Sequence, residues 1–420
     1  MRDRTVTVRV DEPVIFVNQA EANILESIRT FVGGDDPSAE GVCTLKKHYE
    51  HCMAWIVLRA VHGAAMRYRT AGARYQKNVP DVYTPVDDTT SVLSEGVRFL
   101  EDDRGRRLGV QTVPSQRYGH LLLNIHCRRE HLDAAETFLR EVHREMGELR
   151  GLVLNSDGES ITLDRAYRWD DLIAPREVVC ALRRFVEEPL RRRREFEKHR
   201  VPLKRGVLLY GPPGNGKTLT CRILAGVCGV NVIHATMKDM PPFQESIVGE
   251  VYELARAISP CIVVWEDVDI IGADRSGAGG ITHVLADLLN ELDGFERNHN
   301  IVTLATTNRE EVMDEALANR PGRFDLKLRF GNPDTEQRIR LLRLFTRDYA
   351  VDEDVRLEDV AAQLEGCSGA HVREAVQRSV VAAMERGEYT GDDRVRVTRA
   401  NLDAAIVDFK QKGTFIGFGK

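Results

Sequence analysis

Short apolar runs recur at 207–210, 231–235, 261–265, 301–306 and 325–330, and the stretches between them carry apolar residues at helical spacing. Runs that are apolar at nearly every position belong to strands covered on both faces, the condition of a parallel sheet. The pattern predicts an α/β fold with a doubly wound parallel-sheet core over 161–331. After Gly331-Asn-Pro-Asp334 the period turns helical, at 335–349, 357–364, 368–386 and 398–409, which predicts a C-terminal helical lid and tail over 332–420. Residues 1–160 have another texture. Helices are expected at 21–31, 45–68 and 132–149, a hairpin over 97–113 turning at Asp103 to Gly105, and a buried strand at 120–126. This part reads as an N-terminal α+β domain.

Composition narrows the possibilities. A chain of 420 residues fits two or three domains with cores of their own. Its 59 basic and 65 acidic residues leave a net charge of −6, so nucleic acid is not the expected partner. The run Arg191 to Arg194 is expected to be a solvated helix face beside Glu195, Glu197 and Asp170. Eight cysteines are scattered with no C-x-x-C, which fits a reducing, cytoplasmic setting. His48-x-x-His51-Cys52 has helical ligand spacing, but nothing completes a zinc site and an exposed helix surface is expected. The most apolar stretch, 55–66, is short and carries Arg59 and His62, so no membrane span is expected. Neither H-E-x-x-H nor G-x-S-x-G occurs.

Chemistry concentrates where strands end. The strand at 207–210 runs into Gly211-Pro212-Pro213-Gly214-Asn215-Gly216-Lys217-Thr218, and a helix begins at Lys217 with Leu219 in its first turn. This is a phosphate loop in its proper strand-to-helix setting: the glycines let backbone N–H groups approach phosphates, Lys217 reaches the β/γ-phosphates, and Thr218 offers a hydroxyl to Mg²⁺. The strand 262–265 ends in Glu266-Asp267. A nucleotide-bound Mg²⁺ needs a carboxylate and hydrolysis needs a second one for the attacking water, roles that fit Glu266 and Asp267 respectively. Strand 303–307 ends at Asn308, placed to orient that water. Arg320 and Arg323 flank a Pro-Gly turn from which guanidinium groups can reach a neighbouring subunit's phosphates.

With these motifs in this order, residues from Tyr167 to the end of the lid resemble the AAA clade of the AAA+ ATPases. Trp169-Asp-Asp-Leu-Ile173 and Glu188-Pro-Leu190 resemble the clade's entry segment, GPPGNGKT its Walker A motif and Trp265-Glu-Asp-Val-Asp269 its Walker B motif. Asn308 corresponds to sensor 1, Arg320 and Arg323 to the arginine-finger pair, and Gly366-Cys-Ser-Gly-Ala370 to the lid turn. The resemblance implies a base pocket lined by Ile173, Leu341, Phe345, Gly369 and Ala370, with ATP and Mg²⁺ as cofactors. It also implies a homo-oligomeric ring, a hexamer, acting as a chaperone-like remodeller on a protein client recognised by residues 1–160. The alternative is a slow nucleotide-gated switch or scaffold that regulates a partner without threading it.

Two departures bear on that choice. The Glu266-Asp267 order reverses the clade's usual Asp-Glu and resembles the branch of the mitochondrial Rieske-protein translocase, although this sequence has no counterpart of that branch's transmembrane segment. Peptide-threading members place an aromatic residue before Val-Gly, where this chain has Ile247 before Val248-Gly249. The pore candidates are therefore Phe243, Ile247 and Val248, with 274–280 in the position of a glycine-rich second pore loop.

Overall fold

The computed structural model describes residues 6–9, 19–33, 41–70, 82–85, 91–114, 120–161, 166–201, 203–236, 247–268, 283–293, 298–309 and 323–413. The chain divides into two compact units, Met1–Thr162 with Val230–Ala235 and Phe243–Val263, and Leu163–Gly229 with Thr236–Pro242 and Val264–Lys420.

In the first unit β1 (Val6–Arg9), β2 (Val42–Tyr49), β3 (Arg69–Thr70), β4 (Val82–Pro85), β5 (Ser91–Glu101), β6 (Arg107–Pro114) and β7 (Leu121–Arg128) form an antiparallel sheet. Its order is β1-β2-β7-β6-β5-β3, with β4 paired to β5. Helix α1 (Gln19–Gly33) covers one face, where Ile28 and Val32 pack with Val42, Val97 and Phe99. Helices α2 (Ala54–Ala65) and α3 (Leu132–Glu148) pack together. Tyr49 meets His143 of α3 at 3.0 Å, and Tyr49 is odd-numbered where Val42 is even, so α3 lies on the face opposite α1.

The helix expected over 45–68 does not exist as such. Residues Val42–Tyr49 are a strand, followed by a 3₁₀ turn at His51–Met53 and then α2. Leu45 and Tyr49 sit on the buried side of β2, paired through eight residues with β7, and that cross-strand pairing outweighs the local helical spacing. His48 therefore lies on an exposed strand position while Cys52 is buried, and among the described residues no His, Cys, Asp and Glu cluster could hold a metal.

The second sheet has the order β13-β9-β12-β11-β10-β8. Its strands are β8 (Val153–Asn155), β9 (Arg205–Tyr210), β10 (Asn231–Thr236), β11 (Cys261–Glu266), β12 (Ile301–Thr307) and β13 (Leu326–Arg329). The β9/β12, β9/β13 and β8/β10 pairs are parallel. All seven residues of β12 are buried, as a strand covered on both faces requires. The apolar runs foresaw every strand of this sheet but β8, a three-residue strand too short to show a period. The accompanying helices are α4 (Arg176–Leu182), which continues through a π-helical turn into α5 (Glu188–Arg191), α6 (Arg193–Lys198), α7 (Lys217–Cys228), α8 (Ile247–Ala257) and α9 (His283–Asp293). Together they make an α/β core.

The lid follows, with α10 (Thr335–Thr346), α11 (Leu357–Gln363), α12 (Gly369–Glu385) and α13 (Arg399–Gly413), and the short parallel pair β14 (Ala350–Val351) and β15 (Arg396–Val397). Asp334 and Gln337 form a capping box that starts α10, so the Gly331-Asn-Pro-Asp334 segment both ends the core and nucleates the lid. Leu342, Val360, Leu364, Val372, Val376, Leu402 and Ile406 fill the space between its helices. The buried Arg338 donates to the carbonyls of Pro333 and Ala361, both at 2.8 Å, and so ties α10 to α11. Among the described residues no helix is long and apolar enough to cross a membrane.

Among the described residues, His126 of β7 is the buried histidine. Burial first, then Lys46 and Arg29, pulls it from 6.5 down to about 4. Its Nδ1 meets Thr44 Oγ1 at 2.8 Å, whereas Nε2 has no partner among the described residues, so a proton added there is a buried donor without an acceptor among them. The unfolded chain binds that proton at a higher pH, so stability is lost as pH falls from about 6.5 towards about 4. Thermal melts of wild type and His126→Asn across that range are expected to converge at acid pH, with roughly 3 kcal/mol of pH dependence removed by the substitution. Parallel pH profiles for the two proteins contradict this.

Candidate nucleotide site

Strand β9 lies between β12 and β13 and delivers the glycine loop at the level where its neighbours end, because Tyr210 pairs with Thr307 on one side and Arg329 on the other. Three glycines are obligatory there, and Gly211, with φ +129°, has a Cβ position 2.4 Å from the Phe330 carbonyl oxygen. Gly214 has φ +79°, and a Cβ on it would lie 2.7 Å from the Ala370 Cβ. Gly216 has φ +94° and caps α7 in the left-handed region, with a Cβ position 2.9 Å from Leu172. The next residues, Lys217, Thr218 and Leu219, open α7 and line a cavity of about 520 Å³. The N-terminal end of α7 points its unsatisfied N–H groups and partial positive charge at that cavity. The Lys217 ammonium is held at the loop by the carbonyls of Gly211 at 2.6 Å and Pro212 at 2.9 Å, so these two residues act through their oxygens while Pro213 and Asn215 line the cavity directly.

The acids arrive from β11. Glu266 is its last residue, half-buried and near enough to the buried Cys221 of α7 to push that thiol's pKa further up, beyond the effect of burial itself. Asp267 follows with φ +52°, a left-handed turn that a non-glycine residue takes only at a cost of about 1 kcal/mol. The turn is held by β12: the Asp267 N–H donates to Thr306 Oγ1 at 3.1 Å and the Val268 N–H to the Thr306 carbonyl at 3.0 Å. It brings the Asp267 carboxylate to Asn308, whose Nδ2 donates to Oδ1 at 3.1 Å, and both side chains line the cavity beside the loop.

Part of the cavity wall is apolar. Ile173, Leu341 and Phe345 line it, with Gly369 and Ala370 at the start of α12. The lid is fastened to the loop by Asn215, which accepts the Gly369 N–H at 3.1 Å and donates to Asn332 at 2.9 Å, while the Ala370 N–H donates to the Gly214 carbonyl at 2.9 Å. An apolar wall next to a cationic, N–H-rich loop, with the Asp267 carboxylate also lining the cavity, fits a nucleoside triphosphate and Mg²⁺.

Arg373 was not foreseen. It lines the cavity with its guanidinium 5.2 Å from the centre of the Phe345 ring, one helical turn beyond Ala370. That i, i+3 spacing from a residue already assigned to the base pocket was the available signal. Thr306 and Asn332 were missed because their work is to hold Asp267 and Asn215, contacts that no spacing announces.

Other expected residues are placed differently. Arg323 turns inward, its side chain only 9% exposed, and forms a bidentate pair with Asp293 at the end of α9, with Nε and one Nη at 2.8 and 2.7 Å. Val248 is fully buried in the packing of α8, the position of a core residue and not of a pore-facing one, whereas Ile247 stays half-exposed at the first position of that helix. Arg320 and Phe243, and the segment 274–280, lie outside the described residues.

Comparison with known proteins accords with this geometry. Residues 207–332 match the model of the ATPase family associated with various cellular activities (AAA). The proteasome-activating nucleotidase of Methanopyrus kandleri is 36% identical over 239 residues, 54% of this chain and 54% of that protein. The ATPase family gene 2 protein of Schizosaccharomyces pombe is 38% identical over 223 residues, 51% of this chain and 27% of that protein. The ATP-dependent zinc metalloprotease FtsH 1 of Thermomicrobium roseum is 34% identical over 256 residues, 58% of this chain and 38% of that protein. The chain thus spans about half the length of these relatives, or less. The glycine loop, the acids at the end of β11 and Asn308 all fall within the matched residues 207–332, and the chain carries an AAA ATPase domain.

Proposed function

We propose that this protein hydrolyses ATP at the site between the glycine loop and Asn308, and that it uses the cycle to remodel a protein client as a homo-oligomeric ring, a hexamer. The observation that carries the reading is the Asn308–Asp267 hydrogen bond beside the loop, a pair suited to hold and deprotonate a water against a γ-phosphate. In this scheme Lys217 and the loop N–H groups hold the phosphates, Thr218 and, through water, Glu266 hold Mg²⁺, and Asp267 is the base. Ile173, Leu341, Phe345, Gly369 and Ala370 enclose the base, with the Arg373 guanidinium over the Phe345 ring. The metal's chemistry is to neutralise charge as it develops on the transferring phosphoryl group. Arg320 is the residue assigned to a neighbour's site; Arg323 would join it only on leaving Asp293.

The client is assigned to the N-terminal α+β domain, residues 1–160, with 161–331 as the motor and 332–420 as lid and tail. Similarity to a proteasome-activating nucleotidase and to FtsH proteases supports action on proteins. Cytoplasmic location is part of the same reading. The second reading, a slow nucleotide-gated switch, rests on Asp267, one methylene shorter than glutamate, and on Ile247 where a threading enzyme has an aromatic residue.

Phosphate release and light scattering with ATP test the proposal together. Wild type is expected to turn over ATP, and Asp267→Asn to bind ATP with ring assembly intact while turnover falls about a hundredfold or more. Undiminished hydrolysis in that variant rules out Asp267 as base, and a monomer at every ATP concentration rules out the ring.

Gly214→Ala, whose new methyl would meet Ala370, is expected to abolish ATP binding by calorimetry. Arg373→Ala should weaken ATP binding about two- to fivefold, with Arg373→Lys in between. Equal affinity in wild type and Arg373→Ala removes Arg373 from the site.

A further inference from the structure

The fold gives Asn231 a part that no nucleotide motif asks of it. It is the first residue of β10, and its side chain is completely buried. Nδ2 donates to the carbonyl of Leu149 and to that of Ile258, both at 2.7 Å, and Oδ1 accepts the Leu152 N–H at 3.1 Å. Leu149 closes α3, Leu152 precedes β8, and Ile258 follows α8. One amide thus satisfies main-chain groups of three separate segments, using both of its donors and its acceptor. Aspartate supplies no donors and leucine supplies neither donor nor acceptor.

The join extends beyond this residue. The Val232 N–H donates to the Leu152 carbonyl at 2.7 Å, and β8 then runs parallel to β10 in the register Val232↔Val153, Ile233↔Leu154, His234↔Asn155. The 3₁₀ turn that follows β2 meets both partners: the Cys52 thiol reaches the Glu250 carbonyl of α8 at 3.5 Å, and a Cβ on Gly158 would lie 1.6 Å from the Cys52 carbonyl. Helix α3 packs on α8. The N-terminal sheet domain is therefore built onto β10 and α8 through a shared strand edge and a helix contact instead of hanging from a linker.

We propose that the N-terminal domain, β8 and helix α8 open and move as one body, and that Asn231 is the positioning residue that joins them. Helix α8 begins at Ile247, one of the pore candidates named above, so a load on residues 1–160 acts directly on the helix that carries Ile247. That consequence rests on the proposed remodelling function; the one-body arrangement does not.

Native-state hydrogen exchange on the full chain, read by mass spectrometry against denaturant, is the test. In wild type, peptides from α3, β8 and α8 are expected to share one opening with the same denaturant dependence. In Asn231→Ala that opening is expected to split, with α8 exchanging at least about tenfold faster than in wild type and at a different denaturant dependence from α3. A residue that served stability alone would lower all three together, and that result overturns the proposal. So does a wild type in which α8 opens with β9 and β12 apart from α3 and β8. Should Asn231→Ala fail to fold, Asn231→Asp is read by the same criteria, since it keeps the shape and the acceptor for Leu152 but withdraws both donors. ATP affinity measured on the wild-type sample separates the two ideas, because a chain that binds no ATP loses the proposed function while the exchange result still decides this one.

Discussion

The level ending of three parallel strands is the constraint on which the rest of the site depends. Tyr210, the last residue of β9, stands opposite Thr307 of β12 and Arg329 of β13, and the bonds continue past the strands: the Gly211 N–H reaches the Thr307 carbonyl at 3.3 Å and the Phe330 N–H the Tyr210 carbonyl at 2.7 Å. A shift of one residue in this register would turn every side chain of the affected strand to the other face and move its end by over 3 Å. The glycine loop, Asn308 and the entry to the lid would then no longer meet. Burial of all of β12 and of the middle four residues of β9 makes such slips costly, so a property of the sheet core fixes the chemistry at its edge.

On that frame the site is held by polar contacts between elements, and each has a distinct task. Thr306 holds the left-handed turn at Asp267, Asn308 orients its carboxylate, and Asn215 closes the lid onto the loop. The Arg323–Asp293 pair binds the chain ahead of β13 to the end of α9. Because the Arg323 side chain is largely removed from water while Asp293 is not, parting the pair leaves a desolvated guanidinium to be met elsewhere, which makes Arg323 a costly residue to redirect across a subunit boundary. In the first unit the same economy of polar groups appears at Asn231, where one buried amide replaces three separate caps.

Much of this was legible in the chain itself. The apolar runs at 207–210, 231–235, 261–265, 301–306 and 325–330 located five strands of the parallel sheet, because a strand buried on both faces has no freedom to be polar. The loop 211–218 was recognisable because phosphate binding needs glycines at fixed offsets from one lysine, all on contiguous backbone. Helix periodicity in the lid was equally local. The segment 45–49 was misread as helix because its fate lay with β7, some eighty residues away, and β8 went unseen because a strand of three residues exists only through its neighbour β10.

What the sequence by itself determined is therefore the class of core, the phosphate loop and the acids at the end of β11, all features whose physical requirements are met within a few consecutive residues. Tertiary structure alone decided that Asp267 turns back to Asn308, that Arg373 lies over Phe345, that Arg323 folds inward to Asp293, and that Val248 belongs to the core. It also decided that the N-terminal domain shares a sheet edge with β10 and packs against α8. The reason is common to all of these. A side chain's partner across two elements depends on strand register and helix packing, which are properties of the assembled core and leave no periodic trace in either segment.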